Sequence, residues 1–203
     1  RSQPNTACPE PRDSSVRRKN GARAARAAVV AVTAGAVVVA AGAWSGGLEP
    51  SVPIRPVKGQ LLRLRDPAGP DLLRRVVRTE ECYLVPRGDG DYVLGATVEE
   101  RGFDTSVTAG AVHELLRAAF EVVPGVAELE VVEALAALRP GTPDNAPALG
   151  PGALEGLHWA TGHHRHGILQ APVTGDLVAA GLLGEPVDPR FAPTRFARAE
   201  VPA

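Results

Sequence analysis

The stretch CYLVPRGDGDYVLGAT, Cys82 to Thr97, decides the fold. Cys82 to Pro86 (CYLVP) and Tyr92 to Thr97 (YVLGAT) are short apolar runs rich in Val, Leu and Tyr. Between them Arg87 to Asp91 (RGDGD) carries Asp-Gly, a dipeptide that tolerates the positive φ of a tight hairpin turn. Upstream, Gly59 to Arg65 (GQLLRLR) alternates as a strand does, and Arg74 to Arg78 (RRVVR) supplies another. Four successive strands with polar, Gly-rich connections predict an antiparallel sheet.

After Thr105 the apolar spacing becomes helical. Ala111, Leu115, Ala118, Ala119 and Val122 share one face of a helix that Pro124 and Gly125 end. An extended segment is expected at Leu129 to Leu138, turns over Arg139 to Gly150 (RPGTPDNAPALG), and a short strand at Leu157 to Thr161 (LHWAT). Then come a loop, GHHRHG, and a last helix over Val173 to Leu183 that begins near Pro172 to Gly175. Pro186 and Pro189 lead into a polar tail.

Towards the other end, Arg1 to Arg26 is basic and nearly free of apolar residues, the composition of an unpacked tail. Ala27 to Trp44 (AAVVAVTAGAVVVAAGAW) carries no charge. Its length is near the lower limit for a membrane span, but Ala, Gly and Val without Leu, Ile or Phe make a weak one. The stronger reading splits the run at Gly35 and makes AVVVAAGAW a buried strand entering a glycine turn.

The chain has 203 residues, a net charge of −1 and 44% hydrophobic residues, which disfavours a uniformly basic nucleic-acid binder and wholesale disorder. Cys8 and Cys82 form no CxxC, no disulfide framework and no four-ligand zinc site, so a reducing compartment is the default and the expected localisation is cytoplasmic. There is no methionine, position 1 included.

Two segments can carry chemistry. Arg139 ends an apolar segment and is stiffened by Pro140, so its guanidinium can grip a carboxylate with two parallel hydrogen bonds. On the residues alone, pairing with nearby Asp144 is the stronger reading. In Gly162 to Leu169 (GHHRHGIL), the glycines allow close backbone approach to a ligand, and the first N–H groups of the following helix can take an anionic or carbonyl oxygen. His163, His164 and His166 raise the question of a metal, but adjacent loop side chains rarely converge on one ion and no carboxylate or Cys is close. Ser45 lacks G-x-S-x-G spacing, which argues against a serine hydrolase.

Five segments, in order, carry a resemblance: VVVAAGAWS (Val37 to Ser45), RPVKGQLLRL (Arg55 to Leu64), CYLVPRGDGDYVLGAT, LRPGTPDNAPALG (Leu138 to Gly150) and GHHRHGILQAPVTGDLVA (Gly162 to Ala179). Together they resemble the flavin-dependent amine and D-amino acid oxidases, most closely the glycine oxidase branch tied to thiamine biosynthesis. The resemblance implies an α/β (α+β) fold: an antiparallel-sheet substrate domain plus the C-terminal part of a Rossmann-like FAD-binding domain. The implied division is a tail at 1–26, a strand and turn of the FAD-binding domain at 27–52, the substrate domain at 53–147, a second FAD-binding segment at 148–185 and a tail at 186–203. The family's G-x-G-x-x-G fingerprint, whose glycines bring a pyrophosphate to a helix N-terminus, is absent. The expectation is a truncated form without the part that grips ADP.

The resemblance also implies roles. Arg139 matches the arginine on the substrate carboxylate, Tyr83 a tyrosine near that carboxylate, and Arg165 a second residue facing the substrate. Gly42, Ala43 and Trp44, with His163, His164, Arg165, His166, Gly167, Ile168 and Leu169, match segments beside the flavin. The implied activity is oxidative deamination of glycine, sarcosine or a small D-amino acid: hydride passes to FAD, and O2 returns hydrogen peroxide. Partners would be that small amine and O2, with no nucleic acid or membrane expected and a homo-oligomer compatible with the family. A non-catalytic fragment or a dehydrogenase remains the alternative.

Overall fold

Strand pairing gathers the apolar residues into two sheets. The computed structural model describes residues 33–69 and 72–197. The expected tail at 1–26, the charge-free run as far as residue 32 and the last residues, 198–203, lie outside them. From Ala34 onward the described residues form one unit.

The larger sheet holds β2 (Arg55–Arg65), β3 (Val77–Arg78), β4 (Tyr83–Gly88), β5 (Asp91–Gly95) and β6 (Glu130–Gly141), in the order β3-β4-β5-β2-β6. All its pairings are antiparallel. The β4–β5 hairpin turns where the Asp-Gly signal stands, with φ of 51° at Asp89 and 79° at Gly90. The strand expected over Arg74 to Arg78 shrinks to two residues at the sheet edge, where β4 alone pairs with it.

Because side chains alternate across a strand, the sheet has two different faces. One carries Leu62, Leu64, Leu84, Tyr92 and Leu94, each at most 2% exposed, and packs on α2 (Ala109–Val122) through Leu115, Ala118 and Ala119. The two alanines let the helix approach closely, and Thr108 caps it by accepting the Ala111 N–H. Lys58 and Gln60 lie on this face too. The Lys58 ammonium donates to Asp104 at 2.7 Å and Gln60 to Glu99 at 2.7 Å, which anchors the loop after β5. The other face carries Tyr83, Gly95, Val57, Gly59 and Arg139, a register fixed by the pairs Tyr83–Gly95 and Val57–Arg139.

The smaller sheet has the order β1-β8-β7, with β1 (Val37–Val39) parallel to β8 (Leu157–Thr161) and β7 (Ala148–Pro151) antiparallel to it. Trp159, Val39, Val52 and Ala148 make its core. The strand expected to be buried is not: Val37 and Val38 are 55% and 39% exposed and only Val39 is covered, because β1 pairs on one side alone. After β1 comes a 3-10 turn at Gly42–Trp44 and the short α1 (Ser45–Leu48). The run Ala27 to Trp44 thus gives a strand and a turn in its described part, and no described helix is long and apolar enough to cross a membrane.

Two expectations need correction here. The turn-rich segment after Arg139 contains β7, a strand too short for periodicity to reveal. The last helix, α3 (Gly167–Leu182), begins before Pro172 rather than at it, so Gly167, Ile168 and Leu169 form its first turn instead of a loop. Pro172 offers no N–H to the Ile168 carbonyl.

Leu94 is fully buried at the centre of the larger core. Leu94→Ala is expected to lower unfolding free energy by about 2–5 kcal/mol in urea titration, whereas a change below about 1 kcal/mol would contradict this core.

Candidate functional site

A cavity of about 360 Å3 opens on the face of the larger sheet turned away from α2, and Arg78, Tyr83, Arg139, Arg165 and His166 line it. The structure therefore brings together Tyr83, Arg139 and Arg165, the three residues for which a substrate role was expected. Arg139 reaches it from β6 by crossing β2. Its Nη1 donates to the carbonyls of Thr97 at 3.1 Å and Lys58 at 3.4 Å. The guanidinium lies directly over Gly59, where any Cβ would strike it. Gly95 does the same for the Tyr83 ring, since a Cβ there would stand 2.5 Å from the phenol oxygen. Sequence reasoning passed over both glycines, although an isolated glycine inside a strand pattern signals close approach by another group.

Asp144 does not pair with Arg139. It accepts from Arg195 at 2.9 and 3.1 Å and from the Ala146 N–H at 3.0 Å, and the Thr142 hydroxyl stands 2.9 Å away. These hydrogen bonds, those of Arg195 first, hold its carboxyl well below the usual range. Among the described residues no carboxylate lies within ion-pair distance of Arg139 or Arg165. Burial pushes the Arg139 pKa down, Tyr83 offsets part of this and Arg165 adds to it. A guanidinium nonetheless stays charged at neutral pH. What results is a half-buried cation without a counter-ion, an arrangement that favours an anionic ligand.

The loop from His163 to His166 is held against the end of β6. Gly141 and His163 form an antiparallel bridge, and the His164 N–H donates to the Pro140 carbonyl at 2.9 Å. His164 takes a φ of 48° to make this turn. Burial lowers the pKa of His163, whose Nε2 lies 2.8 Å from the Thr174 hydroxyl. Burial lowers that of His164 as well, reinforced by Arg139, Arg165, Arg55 and His166. No group of metal-ligating side chains occurs among the described residues.

Arg165 and His166 face the cavity already described, while His163 and Gly167 face a second one of about 330 Å3, floored by Ala40, Ala160, Ala171 and Gly175. Small side chains of this kind leave room for a flat ring, and the N–H groups of Gly167, Ile168 and Leu169 have no partner within α3. Ile168 and Leu169 are strongly exposed. Of the other residues for which a place beside the cofactor was expected, Gly42 has a φ of 56°, Ala43 is buried, and Trp44 packs on Phe103 at 5.9 Å between ring centres. Ser45 is buried and its hydroxyl donates to that of Thr161 at 3.1 Å.

A family model described as DAO, FAD dependent oxidoreductase, matches residues 12–180. The chain belongs to the FAD dependent oxidoreductase family. The match reaches into the arginine-rich opening, which was expected to be a tail at 1–26. The chain is 39% identical over 163 residues to the bifunctional protein ThiO/ThiG of Trichormus variabilis, covering 79% of this chain and 25% of that protein. It is 41% identical over 167 residues to the glycine oxidase of Pseudomonas aeruginosa, covering 77% of this chain and 45% of that one. Among solved structures, glycine oxidase from Geobacillus kaustophilus superposes with a TM-score of 0.70 at 36% identity, over 83% of this chain and 46% of that one. The chain thus spans less than half the length of these relatives.

Two outcomes follow from the geometry. Gly59→Ala should displace the Arg139 guanidinium and weaken carboxylate binding about tenfold or more, as expected for a lost charge-assisted pair, with the far-ultraviolet spectrum unchanged; unaltered binding would refute the cradle. Because the Asp144 pKa is depressed in the folded chain, its stabilisation is present above the unfolded value of about 3.9 and fades as pH falls below it. Arg195→Gln should therefore reduce stability at neutral pH and flatten the acid side of the stability profile, whereas parallel profiles would deny that link.

Proposed function

We propose that the chain takes part in the oxidative deamination of a small amino acid, with glycine as the reference substrate and FAD as the electron acceptor. The observation that carries this reading is the Arg139 guanidinium, half-buried, without a carboxylate partner among the described residues, and opposite Tyr83 in a cavity of amino-acid size.

Arg139 grips the substrate carboxylate, Tyr83 donates its phenol to the same group, and Arg165 closes the cationic side. This positive surround favours the substrate amine in its neutral form, which is the reactive one, so no side chain has to act as a general base. Gly59 and Gly95 keep both side chains low on the sheet and leave the space above them to the substrate. The loop from His163 to His166 and the first turn of α3 hold the flavin on the side of Ala40, Ala160 and Gly167, with Gly42 to Trp44 beside it. Held by these residues, FAD would supply the acceptor for the hydride of the substrate α-carbon, with O2 as the final oxidant and hydrogen peroxide as its product. Water then converts the imine to an oxo acid and ammonia. The thiamine connection rests on the name of the ThiO/ThiG relative.

A second reading, that the chain binds the amino acid but does not retain FAD by itself, is favoured by α3, which has no buried residue. The two are separated by loading the purified chain with FAD, desalting it, and recording the flavin band and peroxide formation on glycine. The first reading predicts a retained band, peroxide, and a loss of kcat/KM in Arg139→Gln of about thirtyfold or more, from the roughly 2–5 kcal/mol that removal of one member of a buried charge pair costs. A colourless chain that still binds glycine in an Arg139-dependent way supports the second. A chain that does neither refutes both.

A further inference from the structure

Two carbonyls set the direction of the Arg139 guanidinium, those of Thr97 and Lys58, and both belong to one short ladder in which the segment after β5 runs antiparallel to β2. Lys58 and Glu99 exchange backbone hydrogen bonds of 2.9 Å in each direction, and the Thr97 N–H donates to the Gln60 carbonyl at 3.2 Å. Both contacts of Arg139 run through Nη1. Among the described residues its Nε and Nη2 make no hydrogen bond, which leaves one edge of the planar fork for a ligand. Where that edge points depends on where the two carbonyls stand.

The side chains that hold this ladder lie on the opposite face of the sheet. Glu99 stands directly across from Lys58, and residues facing each other in an antiparallel pair share a face, so its carboxylate is on the α2 side. One oxygen of that carboxylate, Oε1, accepts from the Gln60 amide at 2.7 Å and from the Thr97 hydroxyl at 2.5 Å. The Thr97 hydroxyl in turn accepts the Gln60 N–H at 2.9 Å. Gln60 is 1% exposed, and its amide oxygen accepts the Thr108 N–H at 2.9 Å. Burial acts to raise the Glu99 pKa, but the hydrogen bonds from Thr97 and Gln60, with Lys58 and Arg101 nearby, outweigh it and lower the value.

Resting on the reading of Arg139 as the carboxylate anchor, we infer that Glu99 is a positioning residue for it: from the α2 face it fixes Thr97 through the hydroxyl, and the Thr97 carbonyl aims the free edge of the Arg139 fork at the substrate on the other face. Glu99 itself touches neither substrate nor cofactor. Its removal leaves the Thr97 hydroxyl and the Gln60 amide without their shared acceptor, and the ladder is then held by backbone bonds alone. A fork grips a carboxylate with two parallel bonds only when both N–H groups lie in its plane, so a tilt of the guanidinium forfeits one of them. An ammonium is a point charge without such a plane and is insensitive to the tilt.

The test is calorimetric titration of the full chain with glycine, without added FAD so that no ligand is consumed. Glu99→Ala is expected to weaken binding about tenfold, the cost of one of the two charge-assisted bonds. Thr97→Val, which keeps the volume and removes the hydroxyl, should repeat that loss. Glu99→Gln should restore affinity to within about twofold, because a single amide oxygen can accept from both Gln60 and Thr97. Arg139→Lys should weaken glycine by itself, and adding Glu99→Ala to it should cost nothing further, the coupling expected of residues that act in series. Unaltered affinity in Glu99→Ala, or a loss in Glu99→Gln as large as in Glu99→Ala, overturns the positioning role and leaves the anchor intact. An equal loss from Glu99→Ala in both backgrounds assigns Glu99 a structural role and also overturns it. Full affinity in Arg139→Lys, or no binding of glycine by the unmodified chain, overturns the anchor together with the proposal.

Discussion

The site depends on one tie between the two sheets. At the end of β6 the chain turns after Gly141, and at Pro140 and Gly141, still paired with β2, the loop after β8 joins it through the Gly141–His163 bridge and the His164 N–H on the Pro140 carbonyl. Arg139 precedes that turn and Arg165 follows His164, so a few backbone contacts fix both guanidinium groups relative to each other. Asp144, Thr142, Arg195 and Ala146 lock the connection after β6 from the other side. An acid that might have neutralised Arg139 is thereby spent on structure, and the cavity keeps its positive charge.

That charge is costly in a half-buried setting and is tolerated because Arg139 also donates to two backbone carbonyls. The same sheet separates two tasks by its pleat. Even-numbered residues of β2 pack on α2 or anchor the loop after β5, whereas Val57 and Gly59 lie on the face that carries Arg139. A one-residue slip of β2 would exchange Gly59 for Lys58 or Gln60 under the guanidinium, so the register of this strand is a functional constraint as well as a structural one.

Much of this was legible in the sequence. The hairpin around Asp89 and Gly90, helix α2 and strand β8 follow from turn chemistry and from periods of two and 3.6, which act locally. The gathering of Tyr83, Arg139 and Arg165 came from the family resemblance, since nothing local in LRPGT or GHHRHG says that they meet. The partner of Asp144 was not legible, because Arg195 lies far along the chain and sequence proximity favoured Arg139. Strand β7 was too short for pattern, α3 was placed late because a proline was read as a boundary, and Gly59 and Gly95 looked like composition until the side chains above them were seen. Arg78 ended a segment expected to be a strand, and its pairing with Tyr83 places it on the cavity face.

The most direct measurement is a crystal structure of the chain grown with glycine. The account predicts the carboxylate of glycine between the Arg139 guanidinium and the Tyr83 phenol, with Asp144 still held by Arg195. An Arg139 side chain swung onto Asp144, or glycine bound away from the face that carries Gly59 and Gly95, would contradict it.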